Sequence, residues 1–349
     1  MPLFRRTCVC LVALLYLYAA PVRAQDREFG GRWEPLGPVP VDQAGAGRRG
    51  YSVAGESTDV ADPHSTRVSF HLVGANNFYV ERTDAIDISQ RSETHTLAID
   101  VRRGFRIGDS PRFEVGAQIQ INETDAGMLN GFISGFEDFV HAPLRSKTAT
   151  PPPLGTYIIR NGQPIYQTVG EGSGFGDVTL VAKAALRDAD PASRDTRVAA
   201  RVLVNLSGAS QFTEGNFAGL GLSIEKKLSE WVAFHGDLRA TLVIDRVSTW
   251  GLPLTGGVVG FSAGPELRIT RNTSVNLQYD GTTSPYLPTG TMALDAGYGD
   301  VSFGLNHRFT AGRRVLVTQF YARENMVLPF NVRWNADPDF VIGIKTTIR

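Results

Sequence analysis

Residues 112–122 read Arg-Phe-Glu-Val-Gly-Ala-Gln-Ile-Gln-Ile-Asn. Phe113, Val115, Ala117, Ile119 and Ile121 fall on one parity, and Arg112, Glu114, Gln118, Gln120 and Asn122 on the other. Successive side chains of a strand point to opposite faces, so the stretch predicts a strand with one apolar and one polar side. The pattern returns along the chain. Val198, Ala200, Val202, Val204 and Leu206 alternate with Arg197, Arg201 and Asn205. Val232, Phe234, Leu238, Ala240, Leu242 and Ile244 alternate with His235, Asp237, Arg239, Thr241 and Asp245. Val259, Phe261, Ala263, Leu267 and Ile269 oppose Ser262, Glu266, Arg268 and Thr270, and the last segment repeats the period with Phe340, Ile342, Ile344 and Ile348. No long helical repeat competes, so the fold class is all-β.

The 349 residues include 35 basic and 35 acidic side chains, 42% hydrophobic residues, 37 Gly and 19 Pro. This is too apolar for disorder and too short of long apolar runs for a helical membrane protein, and it lacks the basic surplus of a nucleic-acid binder. Residues 1–24 read as a secretory signal peptide, with Arg5 and Arg6 before the apolar run from Thr7 to Ala20 and a small-x-small site at Val22-Arg23-Ala24. Its apolar run is short of the roughly 20 residues a helical span needs. Cleavage would leave 32 basic against 35 acidic residues, a formal −3, and would remove both cysteines, Cys8 and Cys10. The exported chain would then hold no disulfide, zinc-thiolate site or cysteine nucleophile. Residues 25–65, with Gly37-Pro38-Val39-Pro40 and Ala44-Gly45-Ala46-Gly47, predict an irregular lead-in or an internal plug before a barrel over 66–349.

Strands of this kind suit a soluble sandwich or a membrane barrel. The leader and the two classes of connection favour an antiparallel transmembrane β-barrel. Short turns are predicted near 108–111, 229–230, 271–273 and 311–313, and long connections near 81–92, 123–155, 247–256, 283–297 and 325–338. Parity then requires one strand fewer than the apolar runs supply. Asn161-Gly162 between two short apolar runs is a hairpin signal, which places 156–169 as a hairpin inside the long external loop 123–170. About twelve strands remain, near 67–80, 93–107, 112–122, 175–187, 196–207, 217–228, 231–246, 257–270, 274–282, 298–309, 314–324 and 339–349, with both termini periplasmic.

Lipid cannot hydrate charge, so this register turns the polar parity inward. Asp100, Arg102, Arg112, Glu114, Asp177, Lys183, Arg197, Arg201, Asp237, Arg239, Glu266, Arg268, Asp280 and Arg308 are the predicted lumen lining. They could select a small polar or amphiphilic solute, or pair with one another in a largely self-filled interior. Met128, Phe132, Phe136 and Val140 recur every fourth residue and predict a short amphipathic helix, as a lid on the barrel mouth, an element of loop 123–155 or a helix at the membrane interface. His95, outward near the external strand end, is where a lipid hydrolase would carry its base, but no serine motif accompanies it. His71 and His235 are expected to face inward and His307 outward. No residues sit at metal-ligand spacing and no phosphate loop opens a helix, so no cofactor or metal is expected. The expected partners are outer-membrane lipids, the barrel assembly machinery and a small polar solute, without nucleic acid. The alternatives are a structural or interaction barrel acting through its external loops, and a membrane hydrolase.

Several segments resemble the exported proteins of the domain of unknown function 3187 family. Gly37-Pro38-Val39-Pro40-Val41-Asp42-Gln43 resembles that family's opening segment, and Arg103-Gly104-Phe105 through Arg112-Phe113-Glu114-Val115-Gly116 its aromatic-Gly turn and amphipathic strand. The run from Gly127 to Phe139 is similar to its Gly-Phe-Leu-Asp-Gly-Phe-Ile segment, and Gly174-Phe175-Gly176-Asp177-Val178 matches a strand opening common in outer-membrane barrels. Glu137 stands where the family tends to carry His, and the chain ends Ile348-Arg349 where such barrels commonly end in an aromatic residue. The resemblance implies the outer membrane as location and no particular activity.

Overall fold

One antiparallel sheet accounts for almost all regular structure in the computed structural model, which describes residues 33–40, 55–108, 111–127, 153–168, 171–190, 192–208, 212–213, 215–295, 297–311, 314–325 and 340–349. The strands are β1 (Thr66–Arg82), β2 (Ile86–Phe105), β3 (Phe113–Asp125), β4 (Gly155–Arg160), β5 (Gln163–Gln167), β6 (Gly172–Arg187) and β7 (Thr196–Leu206). They continue with β8 (Phe217–Lys227), β9 (Val232–Val243), β10 (Gly257–Arg268), β11 (Thr273–Thr282), β12 (Tyr298–Ala311), β13 (Arg314–Asn325) and β14 (Phe340–Ile348). Each barrel strand pairs with its neighbour in sequence, β3 with β6 across the hairpin, and β1 with both β2 and β14. The register Val68↔Ile348 to Asn76↔Phe340 closes the ring, leaving twelve barrel strands and no open edge within it.

Polarity is inverted relative to a soluble barrel. On β9, Phe234, Leu238 and Leu242 are exposed, while His235, Asp237, Arg239 and Thr241 are buried. β7, β8 and β10 repeat this with Val202, Leu220, Leu222, Ile224, Val259 and Phe261 outside and Arg201, Ser223, Glu225, Ser262 and Glu266 inside. So continuous an apolar belt is far larger than the patches water-soluble proteins expose, and it suits hydrocarbon. From Phe234 to Ile244 the strand runs about 33 Å, or about 25 Å along the axis at a tilt of about 40°, the height of an outer-membrane apolar band.

One expectation is corrected. Residues 81–92 are not a long connection: β1 and β2 form one long hairpin joined by residues 83–85, where the Thr83 hydroxyl both donates to the Ile86 carbonyl and accepts its N–H. The alternation fails there because β2 has left the apolar belt. Asp87, Ser89, Gln90, Arg91, Ser92 and Glu93 put polar groups on both faces, and Ile86 and Ile88 are buried by loops. The expected helix at 128–141 lies outside the described residues. The described helix, α1 (Met292–Asp295), is a single turn in the β11–β12 connection that periodicity had not marked. The predicted hairpin forms as β4–β5, with Asn161 at φ 50° and Gly162 at φ 75°, both left-handed as a two-residue hairpin turn requires.

Candidate functional site

The lumen is organised in three levels. At mid-height a belt of charge-assisted bonds crosses from strand to strand. Arg201 of β7 binds both Asp237 oxygens of β9, at 2.7 and 2.9 Å, and the Ser223 hydroxyl of β8 donates to the same carboxylate at 2.7 Å. Arg239 pairs with Asp280 and donates to the Phe261 carbonyl, and Arg323 faces Asp300 at 3.4 Å. Asp177 accepts from Asn205 at 2.8 Å. A Cβ on Gly221 would fall 2.5 Å from the Arg201 guanidinium carbon, so only glycine lets that side chain lie flat on the wall.

Toward the short-turn end the lumen holds the N-terminal segment. Residues 33–40 lie in it as irregular chain, with Trp33, Leu36 and Val39 buried. The N–H groups of Leu36 and Gly37 donate to the Glu266 carboxylate at 2.8 and 3.2 Å. Asn276 and Asn306 donate to the Gly37 carbonyl, Gln319 to that of Pro38 and Gln278 to that of Val39. Pro38 and Pro40 have no N–H, so this segment asks the wall mainly for donors, and amide side chains supply them. Lys227 reaches the Trp33 carbonyl and Arg308 pairs with Glu34 at 2.9 Å.

Residues 55–65 form a second pass, buried or half-buried up to Ala61. Arg102 grips Glu56 at 2.8 and 2.5 Å, and Lys183 donates to the Ser57 and Asp59 carbonyls at 2.7 Å each. The Ala61 N–H donates to Glu114 at 2.7 Å. Asp59 lies among Arg349 at 2.6 Å and Arg67 and Arg197 at 3.5 Å. Burial alone would raise the Glu56 carboxyl, but Arg102 and Lys183 outweigh it and hold it well below the usual carboxylate range. Asp59 follows the same logic, burial opposed by Arg349, Arg67, Arg197 and Lys183. His235 bridges the two passes: it meets Glu266 at 2.7 Å and Glu225 at 3.4 Å, and Glu225 accepts from Thr58 and Arg197.

At the long-loop end an apolar cluster spans the mouth. Ile86, Ile88 and Ile158 of β2 and β4 pack with Val243, Trp250, Leu252, Leu254, Val258, Tyr286 and Leu294. β2 and β10 stand on opposite sides of the twelve-strand ring, so these loops meet over the opening. Trp250 stacks with Tyr286 at 6.5 Å and tilts against Tyr166 of β5 at 5.9 Å.

The fourteen lining residues divide among these levels. Asp100, Arg102, Glu114, Lys183 and Arg197 meet or flank the second pass, and Glu266 and Arg308 hold the first. Arg201, Asp237, Arg239, Asp280 and Asp177 build the mid-height level. Arg112 sits at the short-turn rim with Asp62 and Asp188, and Arg268 lies 5.4 Å from the Trp231 ring. The lid residues Met128, Phe132, Phe136 and Val140 lie outside the described residues. Sequence reading missed Arg67, Glu225, Asp300, Arg323 and Lys345, although the parity of Ile342 and Ile344 already sends Lys345 inward. His71 and His235 are buried on the inner wall, and His307 bonds Thr273 on the outer face. His95 lies 3.2 Å from Glu93 and 3.7 Å from Asp125, a carboxylate setting. Among the described residues no group of three acidic, His or Cys side chains could hold a metal.

No protein-family model and no curated protein sequence matches the chain. Solved structures do resemble it. An outer membrane channel from Pseudomonas putida F1 superposes with a TM-score of 0.51 at 11% identity, covering 84% of this chain and 98% of that one. The NanC porin gives 0.40 at 8% identity over 81% and 98%, and a Pseudomonas aeruginosa FadL homologue 0.38 at 8% over 91% and 98%. At such identities the first likeness speaks to the barrel architecture alone.

Proposed function

We propose that this chain is an outer-membrane channel for a small polar or amphiphilic solute, narrowed by its own N-terminal segment. The observation that carries the reading is a ring of charged and amide side chains around the whole inner wall inside an apolar outer belt. Such a wall keeps water and polar solutes in the barrel while lipid surrounds it. The short turns then face the periplasm, with both termini there, the 1–24 leader directs export, and the assembly machinery folds the chain among outer-membrane lipids. The segments quoted above support membership of the domain of unknown function 3187 family. The likeness to an outer membrane channel from Pseudomonas putida F1 is in keeping with a non-enzymatic role.

A second reading rests on the N-terminal segment below and the apolar cluster above. With both in place the barrel could serve as a closed scaffold whose external loops contact surface partners. Liposome swelling separates the two. Reconstituted protein that shows heat-modifiable migration should admit small polar solutes, and folded protein that admits none would favour the scaffold.

A further inference from the structure

Between the two N-terminal passes the lumen keeps a cavity of about 50 Å³, bounded on the plug side by Pro38 and Ser57 and on the wall by β1, β2, β6, β13 and β14. Five cationic side chains line it, Arg67, Arg102, Lys183, Lys345 and Arg349, against two carboxylates, Glu56 and Asp100. Two further carboxylates, Asp59 and Glu114, bond these cations from just outside the lining. Arg197, which also reaches Asp59, has Glu225 as its own counter-charge and leaves the balance unchanged.

Counting side chains alone, five cations face four carboxylates, and the contacts show which cation is left without a partner. Arg102 is held by Glu56, Asp100 and Glu114, Lys183 by Glu56 and two carbonyls, Arg67 by Glu114 and Asp59, and Arg349 by Asp59. Lys345, partly buried, makes no hydrogen bond or ion pair with a described residue. Asp100 and Glu56 act on it only from beyond contact distance. A partly buried ammonium without a counter-ion is costly, and an anion beside it removes that cost. The Ser69 and Thr347 hydroxyls line the same cavity and bond each other at 3.0 Å, which leaves the O–H of the accepting partner as a neutral donor for an anionic oxygen. The volume suits one small group and excludes a sugar-sized one.

We propose that this cavity binds a small monoanionic group, a carboxylate or a halide, with Lys345 as its charged contact. Resting on the channel reading, the site makes the solute path favour small anions over cations where it passes between the two segments.

The test uses the full chain in detergent micelles titrated with ¹³C-labelled sodium acetate, with chloride as competitor. Wild-type protein should broaden the acetate resonance, and chloride should reverse the broadening. Lys345→Met should weaken acetate binding by about tenfold to a hundredfold, the worth of one charge-assisted hydrogen bond, and Lys345→Arg should retain it. Equal broadening by wild type and a folded Lys345→Met, or none by wild type, would overturn the site. Should Lys345→Met fail to fold, the melting temperature of wild-type protein decides, rising with acetate if the site exists and flat at matched ionic strength if it does not. Bound acetate in a protein that conducts nothing would reject the channel and leave the site standing.

Discussion

Gly37 is where the N-terminal segment depends most on one residue. Its φ of +105° is open to glycine and strained for any side chain, and a Cβ there would lie 3.3 Å from that of Ser57. Gly37→Ala should therefore weaken docking of residues 33–40 by about 1–3 kcal/mol. Trp33, fully buried when docked, reports it: its emission should move to the red while the barrel keeps its heat-modifiable migration. Acid should free the second pass. Glu56 and Asp59 have depressed carboxyls, so they stabilise docking fully above the ordinary carboxylate range. That stabilisation should fade progressively below about pH 4, as the lowered values are approached. Proteolysis of the 55–65 pass should follow that curve, and cleavage unchanged between pH 6 and pH 3 would contradict it. The inward side of the wall residues that hold this segment, Arg102, Lys183 and Glu266, was legible from parity. Their partners were not, because Glu266 meets Leu36 across 230 positions and no local pattern encodes such a contact.

Strands within the apolar belt announce themselves, and strands that leave it do not. β3 and β7–β11 alternate because one face meets hydrocarbon, and their observed bounds lie within about three residues of those read from sequence. The outer half of β2 has no such face, so it read as loop. The β4–β5 hairpin was legible through turn chemistry, since Asn161-Gly162 supplies two left-handed residues. Its role in the roof was not, because Ile158 packs against loops from the opposite wall. Ile158→Ala should loosen that roof by about 2–5 kcal/mol, the usual range for emptying a buried isoleucine site. The barrel should stay folded, with Trp250 becoming accessible to acrylamide quenching. A quenching constant equal to wild type would show that the cluster does not depend on the hairpin.

For the whole molecule, an even balance of 35 basic and 35 acidic residues has a structural meaning. Most of the charged side chains named here meet inside one ring, where they pair with each other or with the N-terminal segment, and Lys345 is left over. The barrel is thus polar enough to hold water and crowded enough to be narrow. Its conductance should be set by the N-terminal segment more than by strand number. Single-channel recording in planar bilayers tests this most directly, comparing the full chain with a variant lacking residues 33–62, both verified as folded by heat-modifiable migration. The channel account predicts discrete small openings for the full chain and a severalfold larger conductance for the variant, since the short-turn half of the lumen is then empty. A variant that folds and stays as silent as an empty bilayer would contradict it.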